Sequence, residues 1–305
     1  MIITFDGLSL GKILGLNSNS HDYWKDKKIV WFGTSIPATN LVSAKGEKIL
    51  DSYPIIVGNM LGATVYNEAL GSSAVRIGIH GSISENDPKG FSGAPAICVL
   101  YSLSMTKAEK KEILDNWDYY KIMFKKSADM IDPKQYDKYL NSSYESKLDR
   151  YLAGGDIGNV DFYIFDHGYN DAGYGNGCNY EDITDIPNDY MDRTYFIGAM
   201  NFLFDRILTA NPKAQIVIIG HYNDEVPFDQ LVEAQRYLAD KWNIPFIETW
   251  KNMGFSSSVS ISINGQSKTM KDVWIPDGIH PSSDKAGDAI MHYAQVLYPM
   301  LINLR

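Results

Sequence analysis

Five short apolar runs alternate with segments of helical pattern along this chain, and that alternation limits what it can fold into. The runs are bounded by Gly, Pro, Asn or Asp and are too short for buried helices, so we read them as strands. They lie at 28–33, 63–67, 215–220 and 245–250, with a further run that starts at 162. Helical patterns occupy 53–61, 188–210, 228–242 and 283–304. Strands that alternate with helices predict a parallel sheet with right-handed crossovers, an α/β layered fold.

The first run ends at Gly33 and is followed closely by Ser35. Ligands of open α/β sheets bind beyond the carboxyl ends of the strands, which makes Ser35 a candidate nucleophile. A serine in such a loop is also a common helix N-cap, so this segment alone leaves both roles open.

A serine hydroxyl needs a general base and a group that orients the base. The loop Trp274–Pro281 contains Asp277 and His280, three residues apart and held by proline and glycine. The carboxylate could fold back onto Nδ1 of the imidazole and leave Nε2 for Ser35. The alternative is a surface turn whose histidine has no chemical role.

Two further strand ends offer donors for the oxyanion of an acyl-transfer transition state. The segment Val65–Ser73 runs into Gly71, whose N–H no side chain would block. The third strand leads into Asn170, which has a side-chain amide donor. We expect the oxyanion donors to be the N–H groups of Ser35 and Gly71 and the amide of Asn170.

These four blocks resemble the SGNH hydrolases, also called GDSL-type esterases. The matching blocks are Gly33–Ser35, Asn67–Gly71, Gly168–Asp171 and Asp277–Pro281, in the family's order. The resemblance extends from Lys28 to the C-terminus with variable inserts. One position departs from the pattern, because Thr34 replaces the aspartate that usually precedes the nucleophile. That change puts the local loop in question more than the activity.

The resemblance implies a flavodoxin-like three-layer α/β/α sandwich whose five parallel strands have the order 2-1-3-4-5. It implies ester hydrolysis through an acyl-enzyme on Ser35, with His280 as base and Asp277 as its orienting partner. No metal or organic cofactor is implied. The strand periodicity predicts the layers but not the strand order.

The expected substrate is a short-chain acyl ester, most specifically an O-acetylated carbohydrate. Aromatic residues in the inserts and an acidic surface favour a neutral sugar over a long acyl chain, which would require a broad aliphatic groove. The alternatives are a lipase or thioesterase of the same fold, or a non-catalytic glycan-binding module of a larger exported or viral tail-like assembly. Candidate substrate-binding residues are Tyr169, His221 and Trp274, and His221 could equally be a hydrogen-bonded wall residue.

Composition excludes several other classes. The 305 residues carry a net charge of −9, which disfavours nucleic-acid binding and docking to an anionic membrane. No apolar run approaches the roughly 18 residues needed to span a bilayer.

Cys98 and Cys178 form no CxxC motif and could be two thiols or one bridge. Without a signal-like start, we expect a cytoplasmic protein or part of a larger exported or virion assembly. The sequence does not predict the oligomeric state.

We expect an accessory segment at 1–27 and one hydrolase domain at 28–305, with a helical insert at about 104–155 and a hairpin insert at about 256–272. In the helical insert, Thr106 and Glu109 form a capping-box pattern. A tyrosine stripe at 136–151 predicts a second helix from Pro133 to Tyr151, either core-packed or a cap that stacks on sugars. Asn264-Gly265 predicts a type I′ hairpin.

The loop 78–95 either walls the pocket or is an ordinary surface excursion, and we expect Gly173–Gly177 to form a rim beside Asn170.

Overall fold

A computed structural model describes residues 23–43, 45–71, 73–77, 102–119, 147–152, 159–172, 183–221, 228–275, 277–281 and 286–304. The loop 78–95, the segment 173–177, Cys98, Cys178 and most of the tyrosine stripe lie outside these residues. In the described part of the chain, none of the helices is both long enough and apolar enough to cross a membrane.

The core is a five-stranded parallel sheet. Its strands are β1 (Lys28–Gly33), β4 (Thr64–Asn67), β5 (Phe162–Asp166), β6 (Gln215–Gly220) and β7 (Phe246–Glu248). Their order is β4-β1-β5-β6-β7. Counting only these strands along the chain, the order is 2-1-3-4-5, which confirms the predicted flavodoxin-like arrangement.

The described segments contain nine helices of four or more residues, which accompany the sheet. They are α1 (Ser35–Ala38), α2 (Tyr53–Leu61), α3 (Lys107–Asp115), α4 (Lys147–Leu152), α5 (Phe196–Ala210), α6 (Phe228–Trp242), α7 (Trp250–Met253), α8 (Met270–Trp274) and α9 (Ala286–Ile302). The bounds of α2 and α6 are those predicted. The described part of α9 begins three residues later than expected, and α5 begins eight residues later.

The late start of α5 has a local cause. The side chain of Asp189 accepts a hydrogen bond from the N–H of Met191, and that of Asp192 accepts one from the N–H of Thr194. Aspartates that bond to the backbone two residues ahead stabilise turns instead of helix. The segment before Phe196 is therefore a series of turns, although its apolar spacing resembles a helix.

Adjacent residues of β1 show how helices cover both faces of the sheet. Trp31 contacts Tyr53 of α2, and Tyr53 stacks on Tyr293 of α9. Phe32, on the opposite face, contacts Phe165, which packs on Phe204 of α5. Side chains 29–32 are completely buried because a central parallel strand has both faces covered.

The described end of the predicted accessory segment packs onto the domain. Trp24 is completely buried, its ring stacks on Phe162 at 4.3 Å, and its Nε1 donates to the carbonyl of Ile302. Trp24 therefore belongs to the core, and Tyr23 packs against it. The accessory role assigned to residues 1–22 lies outside the described residues.

Two antiparallel hairpins project from the sheet. One joins β8 (Ser260–Ile263) to β9 (Gln266–Thr269), and the positive φ angles of Asn264 (52°) and Gly265 (76°) confirm the predicted type I′ turn. The other, β2 (Leu41–Val42) with β3 (Lys48–Leu50), was not predicted because its strands are too short to show an alternation.

The helical insert is described in part. Helix α3 begins with the predicted capping box, in which Thr106 and Glu109 each bind the other's backbone N–H. Helix α4 contains the end of the tyrosine stripe, where Leu148 and Tyr151 are buried. The rest of that stripe (Tyr136, Tyr139, Leu140, Tyr144) lies outside the described residues, so its role remains a prediction.

Candidate active site

The turn between β1 and α1 presents Ser35 at the carboxyl edge of the sheet. Thr34 is the N-cap of α1 and its Oγ1 accepts a hydrogen bond from the N–H of Ile36, 3.4 Å away. A Cβ atom at Gly33 would lie 2.2 Å from Cγ of Pro37 and 2.9 Å from the carbonyl oxygen of Asp166, so a larger residue would not fit. The threonine that departs from the family pattern therefore caps the short helix that begins at Ser35.

Ser35, His280 and Asp277 form a hydrogen-bonded chain. Nε2 of His280 lies 2.7 Å from Oγ of Ser35, and Nδ1 of the same ring lies 2.8 Å from Oδ2 of Asp277. The His280 side chain is 28% exposed, so substrate and water can approach it. This geometry is that of a nucleophile, a general base and an orienting carboxylate.

The loop that holds Asp277 fixes the carboxylate on the imidazole. Oδ1 of Asp277 accepts hydrogen bonds from the N–H groups of Ile279 (2.9 Å) and His280 (2.7 Å), and Gly278 supplies a left-handed turn with φ of 79°. Partial burial alone would raise the pKa of Asp277, but the two backbone N–H groups and the imidazole lower it. The carboxylate is therefore ionised at neutral pH and holds the ring through Nδ1.

The predicted oxyanion loop lies beside the nucleophile. The N–H of Leu70 and the hydroxyl of Ser73 both donate to the carbonyl of Gly33, which ties this loop to the end of β1. A Cβ atom at Gly71 would be 3.8 Å from Cβ of Ser35. Gly71 and Ser35 are thus neighbours across the site.

Asn170 is buried at the same edge. Its Nδ2 donates to the carbonyl of Ser73 at 2.7 Å, which fixes the orientation of the amide against the oxyanion loop. An asparagine amide has two N–H donors, so this bond uses one of them. The structure therefore brings Ser35, Gly71 and Asn170 together, while their service as oxyanion donors remains a prediction.

Asp171 links the Asn170 loop to the oxyanion loop. Its carboxylate accepts hydrogen bonds from the N–H groups of Val75 and Arg76 at 3.0 Å, and the Arg76 guanidinium donates to the Asp171 carbonyl. Asp171 is the last residue of the block Gly168–Asp171, and no role was predicted for this aspartate from sequence. A carboxylate that accepts two neighbouring backbone N–H groups pins one loop onto the other.

Glu68 joins the start of the oxyanion loop to helix α4, a contact that the sequence did not predict. Its carboxylate binds Lys147, Arg150 and the hydroxyl of Tyr151, all on α4. Lys147 also donates to the Glu68 carbonyl at 2.7 Å. The helical insert is therefore fixed to the start of the oxyanion loop. The only sequence signal for this was the place of Glu68 within the Asn67–Gly71 block.

Of the three candidate substrate residues, two lie together. The rings of Tyr169 and His221 are 5.1 Å apart after β5 and β6, and both residues are largely buried. Burial, with a smaller contribution from Lys271, lowers the pKa of His221 to about 3, so this ring is neutral at physiological pH. Trp274 stacks on His292 of α9 at 4.5 Å. Contact of any of the three with substrate remains a prediction.

Comparisons with known proteins give structural likeness only. No protein-family model matches the chain, and no curated protein matches it. A solved structure from Lactobacillus plantarum is 16% identical over 91% of this chain and 97% of its own, with a TM-score of 0.47. A GDSL-like lipase candidate from Bacteroides ovatus is 11% identical over 92% and 100%, with a TM-score of 0.45.

A family two carbohydrate esterase from Cellvibrio japonicus is 15% identical over 91% of this chain, with a TM-score of 0.42. The match covers 61% of that longer esterase chain. Sequence identities this low indicate a similar fold and give no information on activity or substrate. The strand order β4-β1-β5-β6-β7 is the flavodoxin-like order that the resemblance to the SGNH hydrolases implied.

Proposed function

We propose that this protein is a serine carboxylic ester hydrolase that acts on short-chain acyl esters. One observation supports this above all: Oγ of Ser35 lies 2.7 Å from a histidine nitrogen whose partner nitrogen is held by a carboxylate. A serine that only capped a helix would not require this arrangement. Ser35 lies near the start of the chain and Asp277 and His280 lie near its end, so only the tertiary fold brings them together.

The proposed reaction proceeds through an acyl-enzyme. Ser35 attacks the ester carbonyl while its proton passes to Nε2 of His280, and Asp277 stabilises the resulting imidazolium. The N–H groups of Ser35 and Gly71 and the amide of Asn170 bind the oxyanion. His280 then returns the proton to the departing alcohol. Water, activated by the same histidine, hydrolyses the acyl-enzyme and restores Ser35.

The proposed alcohol is a carbohydrate and the proposed acyl group is acetyl. Two features support this class: a net charge of −9, which disfavours anionic substrates, and the aromatic pair Tyr169 and His221 at the edge that holds Ser35. A lipase, a thioesterase and a non-catalytic glycan-binding module are the alternatives that the experiment separates.

The experiment compares hydrolysis of p-nitrophenyl esters from acetyl to octanoyl, followed by acetate release from acetylated glycans. We expect the highest kcat/KM on acetyl esters and its loss in Ser35→Ala. Ser43→Ala is the matched control, because that hydroxyl lies in the β2–β3 turn and accepts only backbone N–H groups there. It should leave the rate unchanged.

Three results would overturn parts of the proposal. A preference for octanoyl esters would indicate a lipase or thioesterase. Glycan binding that survives Ser35→Ala, with no hydrolysis by the parent protein, would indicate a binding module. Ester hydrolysis that persists in Ser35→Ala would refute the serine mechanism.

A further inference from the structure

A small chamber lies between the oxyanion loop and the helical insert. It has about 20 Å³ of space for the centre of a water-sized molecule, which is enough for one small ion or water but not for a sugar ring. We call it the Lys110 chamber. Its lining residues are Glu68, Leu70, Ser73, Ser102, Leu103, Lys110, Lys147 and His167.

Positive charge in the lining exceeds negative charge. Among the residues that the structure describes, Glu68 is the only carboxylate that lines the chamber, and it is already bound by Lys147 and by Arg150 of the same helix. Lys110 is 8% exposed and forms no hydrogen bond or ion pair with any residue in the described ranges. Asp149 acts on it at longer range but is paired with Arg206. The Lys110 ammonium therefore lacks a close counter-ion.

One lining residue, His167, also has an unpaired ring nitrogen. His167 is 5% exposed, and its buried Nδ1 has no hydrogen-bond partner. Burial lowers the pKa of His167 to about 3, so the ring is neutral and can carry its hydrogen on Nδ1. The hydroxyls of Ser73 and Ser102 donate to backbone carbonyls instead, those of Leu70 and Val75 among them. The unused donors in the chamber are thus on Lys110 and His167.

We propose that the Lys110 chamber binds one small monovalent anion, chloride or another halide, between the Lys110 ammonium and the His167 ring. A halide accepts hydrogen bonds and donates none, which matches two unused donors. A water molecule of similar size would leave the buried charge uncompensated, and burying such a charge is costly. Polyatomic anions such as gluconate are too large for the space.

The ion would act on the loop that contains Gly71. Leu70 and Ser73 lie on either side of that glycine and both line the chamber. Burial, with repulsion from Lys147, lowers the pKa of Lys110 to about 8, so the ammonium still predominates at pH 7. The site is separate from the triad and does not depend on the proposed ester hydrolysis.

The test measures the thermal unfolding midpoint of the full chain against sodium chloride, sodium bromide and sodium gluconate at matched ionic strength. A ligand that binds only the folded state stabilises it in proportion to the logarithm of its concentration. We expect the midpoint to rise by about 2–4 °C for each tenfold increase in halide above the Kd, and not in gluconate. In Lys110→Met, the halide response should disappear.

Lys111→Met is the matched control, because Lys111 is the next residue on α3 but is exposed and paired with Asp115. It should keep the halide response of the parent. Equal responses to chloride and gluconate, or a response that persists in Lys110→Met, would overturn the proposal.

A second measurement does not depend on any variant folding. In crystals grown with bromide, we expect an anomalous peak in the chamber within hydrogen-bond distance of Nζ of Lys110. Bromide peaks on the surface with none in the chamber would show that water occupies it, and would refute the anion site.

Discussion

Asn170 and Asp277 hold their partners through hydrogen bonds that a single substitution can remove. Asn170 has an amide bound to the oxyanion loop, and Asp277 has one oxygen on the backbone and the other on the imidazole. In both, the side chain is fixed before substrate arrives. Preorganised polar groups of this kind account for a large part of the rate enhancement in acyl transfer.

Asn170→Ala should lower kcat by about 10²–10³ while the protein stays folded, because one oxyanion donor is lost. Ester hydrolysis and the unfolding midpoint measure the two effects separately. Asn211→Ala is the matched control, since its amide also donates to a backbone carbonyl, that of Val160, which precedes β5 at the end of the strand away from the site. It should cost stability without lowering kcat. Unchanged turnover in a folded Asn170→Ala would remove Asn170 from the mechanism.

Asp277→Asn should lower kcat by about 10²–10⁴ with little change in KM. An amide NH₂ opposite Nδ1 would favour the imidazole tautomer that cannot accept the Ser35 proton. The asparagine oxygen can still accept the backbone N–H groups of Ile279 and His280, so the loop should keep its shape. Steady-state kinetics beside the unfolding midpoint would test this, and a rate close to that of the parent would contradict the role of Asp277.

The hydrogen-bonded grouping of Ser35, Asp277 and His280 could be predicted from sequence because each lies in a short block with turn-forming neighbours. Glu68 could not, since its partners Lys147, Arg150 and Tyr151 are about eighty residues away and nothing in their local pattern points to it. The ring of Trp274 stacks on His292, and contact of Trp274 with substrate stays a prediction.

At the scale of elements, α3 is anchored by Glu109 in its first turn. Glu109 closes the capping box with Thr106 and forms two hydrogen bonds with the Arg193 guanidinium, in the turn before α5. Burial alone would raise the pKa of Glu109, but hydrogen bonds from Arg193 and the Thr106 N–H lower it to about 2. The anchor therefore depends on an ionised carboxylate.

This anchor predicts a pH dependence of stability. The folded-state pKa lies below that of the unfolded chain, so the stabilisation is complete above about pH 4.5 and is lost as pH falls towards about 2. Glu109→Gln should lower the unfolding midpoint by about 2–6 °C at neutral pH, with a difference that shrinks in acid. Asp115→Asn, an exposed change on the same helix, should have little effect at any pH. A constant difference for Glu109→Gln down to acid pH would contradict the ionic anchor.

Element types were predictable where one periodicity dominated. The bounds of α2, α6 and β6 follow from their apolar spacing and flanking turns. The predicted start of α5 at residue 188 was wrong because aspartate side chains before Phe196 compete with the helix for backbone N–H groups. The β2–β3 hairpin was missed because a two-residue strand has no period to detect.

At the scale of the whole molecule, the sheet brings together residues that are distant in the chain. Ser35 follows β1, Gly71 follows β4 and Asn170 follows β5, and these three strands are neighbours in the sheet. His280 arrives from a loop 245 positions after Ser35. Periodicity predicted the layers, but the order of strands came from the family resemblance. A new strand can be added at either edge of the growing sheet, and both choices give the same pattern along the chain.

The central claim is that Ser35 is an activated nucleophile, and covalent labelling tests it most directly. The protein is incubated with a p-nitrophenyl dialkyl phosphate and analysed by intact mass and peptide mapping. The account predicts one phosphoryl adduct, on Ser35, that is absent from His280→Ala although that variant is folded. An unlabelled parent protein that still hydrolyses esters, or an adduct on another residue, would contradict it.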